Sequence, residues 1–503
     1  MDEFIVAGDG NGSVTQRLAM SNRHGLIAGA TGTGKTVTLQ VMAESFARAG
    51  VPVFAVDAKG DLSGISQPGR EHKEIDRRVD LLSLTDFKLQ PYPTVFWDIF
   101  AKNGHPVRTT ISEMGPDILG TLLGLNETQT GVLYACFAIA DDDGMLLLDL
   151  KDLRSMLSFV ADNAKLLQSE YGNISRASVG AIQRKLLVLE QQGAEQFFGE
   201  PALRLVDLMQ RDFSGNGVVG LLHAAELVQT APKLYAAFLL WLISELFEEL
   251  PEAGEVDRPK IVLFIDEAHL LFKGMPSGLM DKIEQVFRLI RSKGVGIYLI
   301  SQSPRDIPEN ILGQIGLKVQ HALRAFTAKD QRTVRAVADG FRNDHGLDIA
   351  QVVTQLGVGE ALVSTLDEKG APTPVLAGTI PPPRSQIGPV TKQQRKATIS
   401  NSPMHGRYEE SIDRESAFEL LAAKAAAAAE RAKQEELREE QEERREQQEK
   451  KSAAAAKRSR KTTRRSSRSR QGVGEAFLKS AVRSVGRSLG SKLVRGLLGS
   501  LLK

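Results

Sequence analysis

The eight residues Gly29 to Thr36, GATGTGKT, constrain this chain more than any other stretch. They fill the pattern G-x-x-x-x-G-K-[ST] in full, follow the apolar run HGLIA and open a helical pattern. A strand, a glycine-rich turn and a helix in that order make an anion cradle. The glycines let backbone N–H groups turn inward, and the helix N-terminus adds partial positive charge. The expected ligand is ATP, with Gly29, Ala30, Thr31, Gly32, Thr33, Gly34, Lys35, Thr36 and Val37 around its phosphates. Lys35 is placed to reach the outer phosphates, and the Thr36 hydroxyl to ligate Mg2+.

A nucleotide loop needs a carboxylate on a neighbouring strand to hold the metal. The run KIVLFIDEAH supplies it: Ile261 to Ile265 read as a buried strand, and Asp266 falls at its C-terminal edge, where ligands bind in open α/β sheets. Asp266 is expected to hold Mg2+ through water, and Glu267 to act as general base toward the attacking water. The letters DEAH at 266–269 invite a helicase-box assignment, but too little chain follows for the second ATPase domain that such enzymes need. The next apolar run, GIYLIS, ends in Ser301-Gln302, and Gln302 is positioned to sense the γ-phosphate. After the first helix, VFAVDAKGD ends another strand with Asp57, Lys59 and Asp61; Asp57 is the expected outer-sphere partner of the metal.

Short unbroken apolar runs (HGLIAGA, VPVFAV, GVVGLL, KIVLFID, GIYLIS) fit parallel strands buried on both faces. Helical patterns such as LYAAFLLWLISELFEEL alternate with them, so the fold class is α/β with a mainly parallel sheet and right-handed crossovers. Residues 1–110 form the first part of this core and 211–383 the second, with a helical insertion over 111–210. GEALVST and TPVLAGT, around the turn-prone DEKGAP, read as a closing β-hairpin. Residues 384–412 read as a linker and 413–451 as a charged helix, a single solvated helix being favoured over a coiled coil. The stretch 452–471 reads as a basic disordered segment. Over 472–503, Leu478, Val482, Val485, Leu489, Leu493, Leu497 and Leu501 recur at steps of three or four among Lys and Arg, which makes a basic amphipathic helix.

Apolar residues are 42% of the chain, enough for a large core, and the single cysteine, Cys136, excludes a disulfide framework. The acidic N-terminus is no signal peptide and no uninterrupted apolar run reaches a membrane-spanning length, so the expected location is the cytoplasm. The net charge of +2 conceals an asymmetry: from Lys451 onward there are 15 basic residues and one acidic, leaving −12 on the rest. Such a tail is suited to polyanions: nucleic acid, an anionic membrane surface or an acidic protein partner.

The segments GATGTGKT, VFAVDAKGD, FIDEAHLLF, ISQSP and LRAFTAKDQRTV stand in the order seen in HerA/FtsK-type ATPases, and the chain resembles that family. The stretch Val95 to Leu133 and the terminal FLKSAVRSVGRSLGSKLVRGLLGSLL are similar to a bacterial group of HerA-like ATPases, so the resemblance covers nearly the whole chain. It implies a RecA-like P-loop NTPase core, ATP hydrolysis with Mg2+, a homo-oligomeric and by resemblance hexameric ring, and movement of DNA. It also implies that an arginine from the neighbouring protomer completes the site, and Arg324 and Arg332 match that region. One departure is that HerA-type helicases carry a β-barrel ahead of the loop, whereas fewer than 30 residues precede Gly29. Two other classes stand beside the motor: an ATPase switch tethered to a membrane or partner through the C-terminal amphipathic helix, and a phosphotransferase, which the Asp-Glu pair disfavours.

Overall fold

Apolar runs with no polar interruption become strands that water does not reach. The computed structural model describes residues 1–461 other than His345. Its strands, in chain order, are β1 (Glu3–Gly8), β2 (Ser13–Arg17), β3 (Gly25–Ala28), β4 (Val53–Asp57), β5 (Thr94–Asp98) and β6 (His105–Pro106). They continue with β7 (Val219–His223), β8 (Ile261–Ile265), β9 (Val295–Ser301), β10 (Leu317–His321), β11 (Glu360–Ser364) and β12 (Leu376–Thr379). All twelve share one sheet, in the order β2-β1-β12-β11-β10-β3-β9-β8-β4-β7-β5-β6. From β10 to β6 every pairing is parallel. The strands β3, β4, β8 and β9 are buried at every residue, as parallel strands covered on both faces must be. The expected hairpin is the antiparallel pair β11 and β12, and β1 and β2 extend the same side of the sheet.

Two features of this order were not anticipated. The acidic strand β8 is not next to β3; β9 lies between them. At roughly 4.8 Å per strand, that separates the two motifs by about 10 Å across the sheet. The N-terminal residues form a β-hairpin, closed where Asp9 accepts from the amides of Asn11 and Gly12.

Helix α1 (Lys35–Arg48) lies on the sheet. It is fixed by Phe46, whose ring meets Tyr298 of β9 edge-on at 5.5 Å and Phe4 of β1 at 5.0 Å. Helix α2 (Lys73–Leu81) follows β4. Residues 111–208 hold helices and no named strand, three of them opened by capping boxes: Thr110 with Glu113, Asn126 with Gln129, and Asp149 with Asp152. Contacts divide the chain into two units, Met1–Ala417 and Phe418–Lys503, so the helical stretch belongs to the first unit.

Residues 384–412, expected to be a linker, instead pack on the body. The amides of Arg384 and Ser385 donate to the Glu44 carboxylate at 2.8 and 3.0 Å. Further on, the Tyr408 ring packs edge-on against Trp97 of β5 at 5.3 Å, and its hydroxyl donates to Asp207 at 2.6 Å. The segment is poor in apolar residues, but Met404 and Tyr408 are fully buried. The charged helix spans Ala417–Lys461 and so runs past the expected end at Lys451, because Ala453 to Ala456 are the strongest helix formers. The rest of the basic segment, 462–471, and the amphipathic helix expected at 472–503 lie outside the described residues.

Tyr408→Ala removes a buried ring and leaves the Asp207 carboxylate, 5% exposed, short of a donor. It should cost about 3–5 kcal/mol in urea denaturation. A loss under about 1 kcal/mol would mean that residues 402–412 are detachable, as a linker would be.

Candidate nucleotide site

The chain leaves β3 at Ala28 and crosses the sheet edge as the loop Gly29–Gly34 before α1 begins at Lys35. Gly29 has φ +152°, and a Cβ there would stand 2.6 Å from the His321 Cβ; Gly34 has φ +113° and lies against the Gly359 backbone. Only glycine fits both positions. The loop is pinned from beneath: Ala30 N donates to Ala322 O, and Gly359 N donates to Thr33 O, each at 2.9 Å. His321 is held by donating from Nδ1 to the Glu360 carbonyl at 2.9 Å, while its Nε2 meets the Thr38 hydroxyl at 2.8 Å. Burial lowers its pKa to about 4, so it stays neutral below the loop. Thr31 and Gly32 are exposed, and Thr36 and Val37 are half-buried in the first turn of α1.

Lys35 folds back on its own loop, donating to Gly29 O at 2.6 Å and Ala30 O at 2.9 Å. Burial, and then the nearby Lys59 ammonium, lower its pKa from the usual lysine value.

At the end of β8, Asp266 is 6% exposed and Glu267 adopts φ +50°. A non-glycine residue in that region costs of order 1–3 kcal/mol, a strain that the surroundings must hold in place. They do so through backbone contacts. The buried Tyr235 hydroxyl donates to Asp266 O, Glu267 N donates to Asp266 Oδ1 at 2.9 Å, and Ala268 N donates to Ile300 O of β9 at 2.9 Å. Lys59 Nζ stands 3.4 Å from Glu267 Oε1 and 3.9 Å from Asp266 Oδ2. Glu267 Oε2 is buried and takes no hydrogen bond, with His269 Nδ1 at 3.4 Å. Burial raises the Asp266 pKa to about 6, against the opposing pull of Lys59.

Asp57 ends β4, the strand beside β8. Both its oxygens are spent on its own loop, Oδ1 accepting from Gly60 and Asp61 N–H and Oδ2 from Leu62 N–H. It therefore shapes the turn that presents Lys59, and Lys59 is the member of the DAKGD run that meets Asp266 and Glu267. Gln302 is exposed at the end of β9, between the strands carrying the two motifs, while Ser301 is tied to Asp306 at 3.0 Å. Arg324 and Arg332 are exposed and form no ion pair among the described residues. The structure thus brings the loop, Asp266, Glu267 and Gln302 to one sheet edge and leaves the two arginines on the outer surface. Tyr235 and His321 were missed: each acts through a contact that is distant in sequence.

A glycine-rich turn at the start of a fourteen-residue helix suits a phosphate chain. Among the described residues no trio of His, Cys, Asp or Glu converges on a point. A hard cation beside a phosphate chain takes one or two carboxylates and phosphate oxygens, and Asp266 and Glu267 are the carboxylates at this edge.

A family model described as helicase HerA-like C-terminal matches residues 2–503. A probable helicase of Methanocaldococcus jannaschii is 30% identical over 125 residues, 24% of this chain and 22% of that one. The DNA double-strand break repair helicase HerA of Sulfolobus acidocaldarius is 20% identical over 359 residues, 70% of this chain and 64% of that one. The chain thus spans less than two thirds of the length of either relative. Among solved structures, the unbound bacterial conjugative coupling protein TrwB superposes with a TM-score of 0.51 at 15% identity, over 77% of this chain and 92% of that one. The same plasmid coupling protein with the ATP analogue ADPNP gives 0.50 at 17%, over 76% and 89%. The likeness to TrwB is one of fold, a RecA-like P-loop core.

A carboxyl group whose pKa is higher folded than unfolded disfavours folding once ionised. Asp266 therefore weakens the fold progressively as pH rises through about 6. Asp266→Asn should gain about 2–3 kcal/mol over the wild type at pH 8 and little at pH 4, read from urea midpoints at both. Equal differences at the two pH values would show that the carboxyl does not titrate as described.

Proposed function

The chain belongs to the helicase HerA-like C-terminal family, and from that premise we propose that it is an ATP-hydrolysing motor that works as an oligomer on nucleic acid. The observation that carries this reading is the sharing of one sheet edge by the Gly29–Thr36 loop and the Asp266–Glu267 pair, with an unbonded buried carboxylate oxygen on Glu267. Support for the nucleic-acid substrate comes from the relatives, one named as a DNA double-strand break repair helicase.

In this reading the loop amides from Thr31 to Thr36 hold the β- and γ-phosphates, while Ala30 N stays on Ala322 O. Lys35 leaves the Gly29 and Ala30 carbonyls, which are weaker partners than a phosphate, and pairs with the outer phosphates. Thr36 and Asp266 hold Mg2+, which supplies positive charge to offset that of the phosphates. Glu267 takes a proton from water as the water oxygen bonds to the γ-phosphorus. The bond from that phosphorus to the bridging oxygen breaks with its electron pair going to ADP, leaving inorganic phosphate. Gln302 orients the γ-phosphate or the water from the strand between. Arg324 or Arg332 of a neighbouring copy neutralises the charge spreading over the γ-phosphoryl group, a role that their exposed position leaves open.

Lys35→Ala should weaken both ATP binding and turnover, while Glu267→Gln should retain binding and lose turnover by about 10²–10⁴-fold. Steady-state ATPase and equilibrium nucleotide binding separate the two; wild-type turnover in Glu267→Gln would refute its role as base. Mixing Arg332→Ala with Glu267→Gln protomers should restore part of the activity, because some interfaces then carry both intact residues. The same test applies to Arg324→Ala. A monomer fully active at every concentration would exclude a shared site.

A further inference from the structure

The hydrolytic scheme leaves Lys59 without a role, yet its ammonium faces both carboxylates of the acidic pair, 3.4 Å from Glu267 Oε1 and 3.9 Å from Asp266 Oδ2. The Glu267 and Asp266 side chains are 15% and 9% exposed, so two neighbouring carboxylates repel each other with little water to screen them. A positive charge beside them offsets that repulsion. Lys35 does not supply it by contact, because it donates to Gly29 O and Ala30 O. His269 meets Glu267 alone, with Nδ1 at 3.4 Å from Oε2.

The turn that carries Lys59 is built to hold it at this place. Asp57 gathers the amides of Gly60, Asp61 and Leu62 on its carboxylate, and its carbonyl accepts from Ala224 N at 3.0 Å. Strand β7 lies alongside, with His223 in register with Asp57. Gly60 closes the turn at φ +80°, and a Cβ there would stand 3.4 Å from His223 Cε1. The backbone around Lys59 is thus fixed from two sides, while its side chain is 40% exposed and hangs on a flexible aliphatic stem.

The distances describe a partner that can be replaced. Both exceed the range of about 2.7–3.2 Å for a good N–H···O bond, so the ammonium is shared between two oxygens and bound closely to neither. A doubly charged ion at the same oxygens is attracted more strongly than an ammonium, but it must overcome repulsion from Lys59 to reach them. Phosphate oxygens arriving with that ion carry the negative charge that offsets the repulsion.

We propose that Lys59 is a resident counter-ion of the metal-binding carboxylates, which lowers their affinity for a free divalent cation so that the cation is taken up together with a nucleotide. Lys59 is then a positioning residue that acts through Asp266 and Glu267. This rests on the reading of Asp266 as the metal carboxylate and adds a condition on when that carboxylate becomes available.

The test reads Mn2+ binding to the full chain without nucleotide, from the spin-resonance signal of the free ion, at about pH 8, above the titration of Asp266. Lys59→Met, of similar length and without charge, should bind Mn2+ at least about tenfold tighter than the wild type. Lys59→Arg keeps the charge and should bind Mn2+ no tighter than the wild type. Adding Asp266→Asn to Lys59→Met should abolish the gain. ATP binding in EDTA should differ by less than about threefold between Lys59→Met and the wild type, which shows that the variant is folded and its loop intact. Mn2+ affinity in Lys59→Met equal to or below that of the wild type, or a gain that survives Asp266→Asn, overturns the counter-ion role while the phosphate loop stands. Failure of the wild type to bind ATP with or without Mg2+ overturns the loop reading, and the Mn2+ comparison still decides the role of Lys59.

Discussion

Carboxylates and ammonium groups held a few ångströms apart stay poised rather than collapsed only if the framework under them does not yield. Here that framework is a parallel sheet whose central strands are buried on both faces. Such strands offer polar groups at their ends and nowhere else, so the chemistry is confined to one edge. Everything at that edge inherits its position from the strand order. β9 separates the loop from the acidic pair, leaving between them a gap of about two strand spacings, wide enough for phosphates and a cation. Tyr298 and Phe46, packed edge-on, then set the helix that aims the loop.

The charges at the edge are arranged in crossed pairs. Lys35 rests on neutral carbonyls, while Lys59 rests on the two carboxylates. Burial lowers the Lys35 pKa; for Lys59 burial acts the same way, but Asp266 and Glu267 outweigh it and raise the pKa. A polyanion arriving at the loop gives Lys35 a stronger partner than it has. A divalent cation arriving at Asp266 competes with Lys59. The strained backbone at Glu267 belongs to the same economy of positions. Tyr235 and β9 fix the peptide groups on either side, so the carboxylate is aimed by main-chain contacts, and one of its oxygens is left without a hydrogen bond.

Strands that are apolar throughout are legible in a sequence because burial on both faces leaves no alternation to decode, and β3, β4, β7, β8 and β9 could be read directly. Strand β10 could not: LKVQH carries Lys318 and Gln320, whose polar ends reach carbonyls at Gly340 and His321. The hairpin β1–β2 was available in the sequence, since Asp9-Gly10-Asn11-Gly12 is a turn sequence between two short runs with strand formers. Residues 384–412 misled because linker composition and packed segments overlap when the anchors are few. Its anchors, Glu44, Trp97 and Asp207 among them, are distant in sequence and unmarked by any local pattern. In the site itself the motif residues were legible as types at a spacing. The bonds that Asp57 makes to its own loop were not, because a carboxylate after a strand reads the same in the sequence whichever groups it meets.

The attachment of that late segment has a bearing on how the molecule is made. Glu44 and Ser385 are 341 residues apart, and β1 pairs with β12 across nearly the same interval. A ribosome elongating at about 5–20 residues per second delivers the second partner of each pair tens of seconds after the first. Until then the phosphate-loop helix has an uncapped carboxylate at Glu44 and the sheet has an open flank at β1. The early chain therefore carries a complete nucleotide motif on an unfinished scaffold, and assembly of the first unit is a closure event that waits on its own C-terminal end.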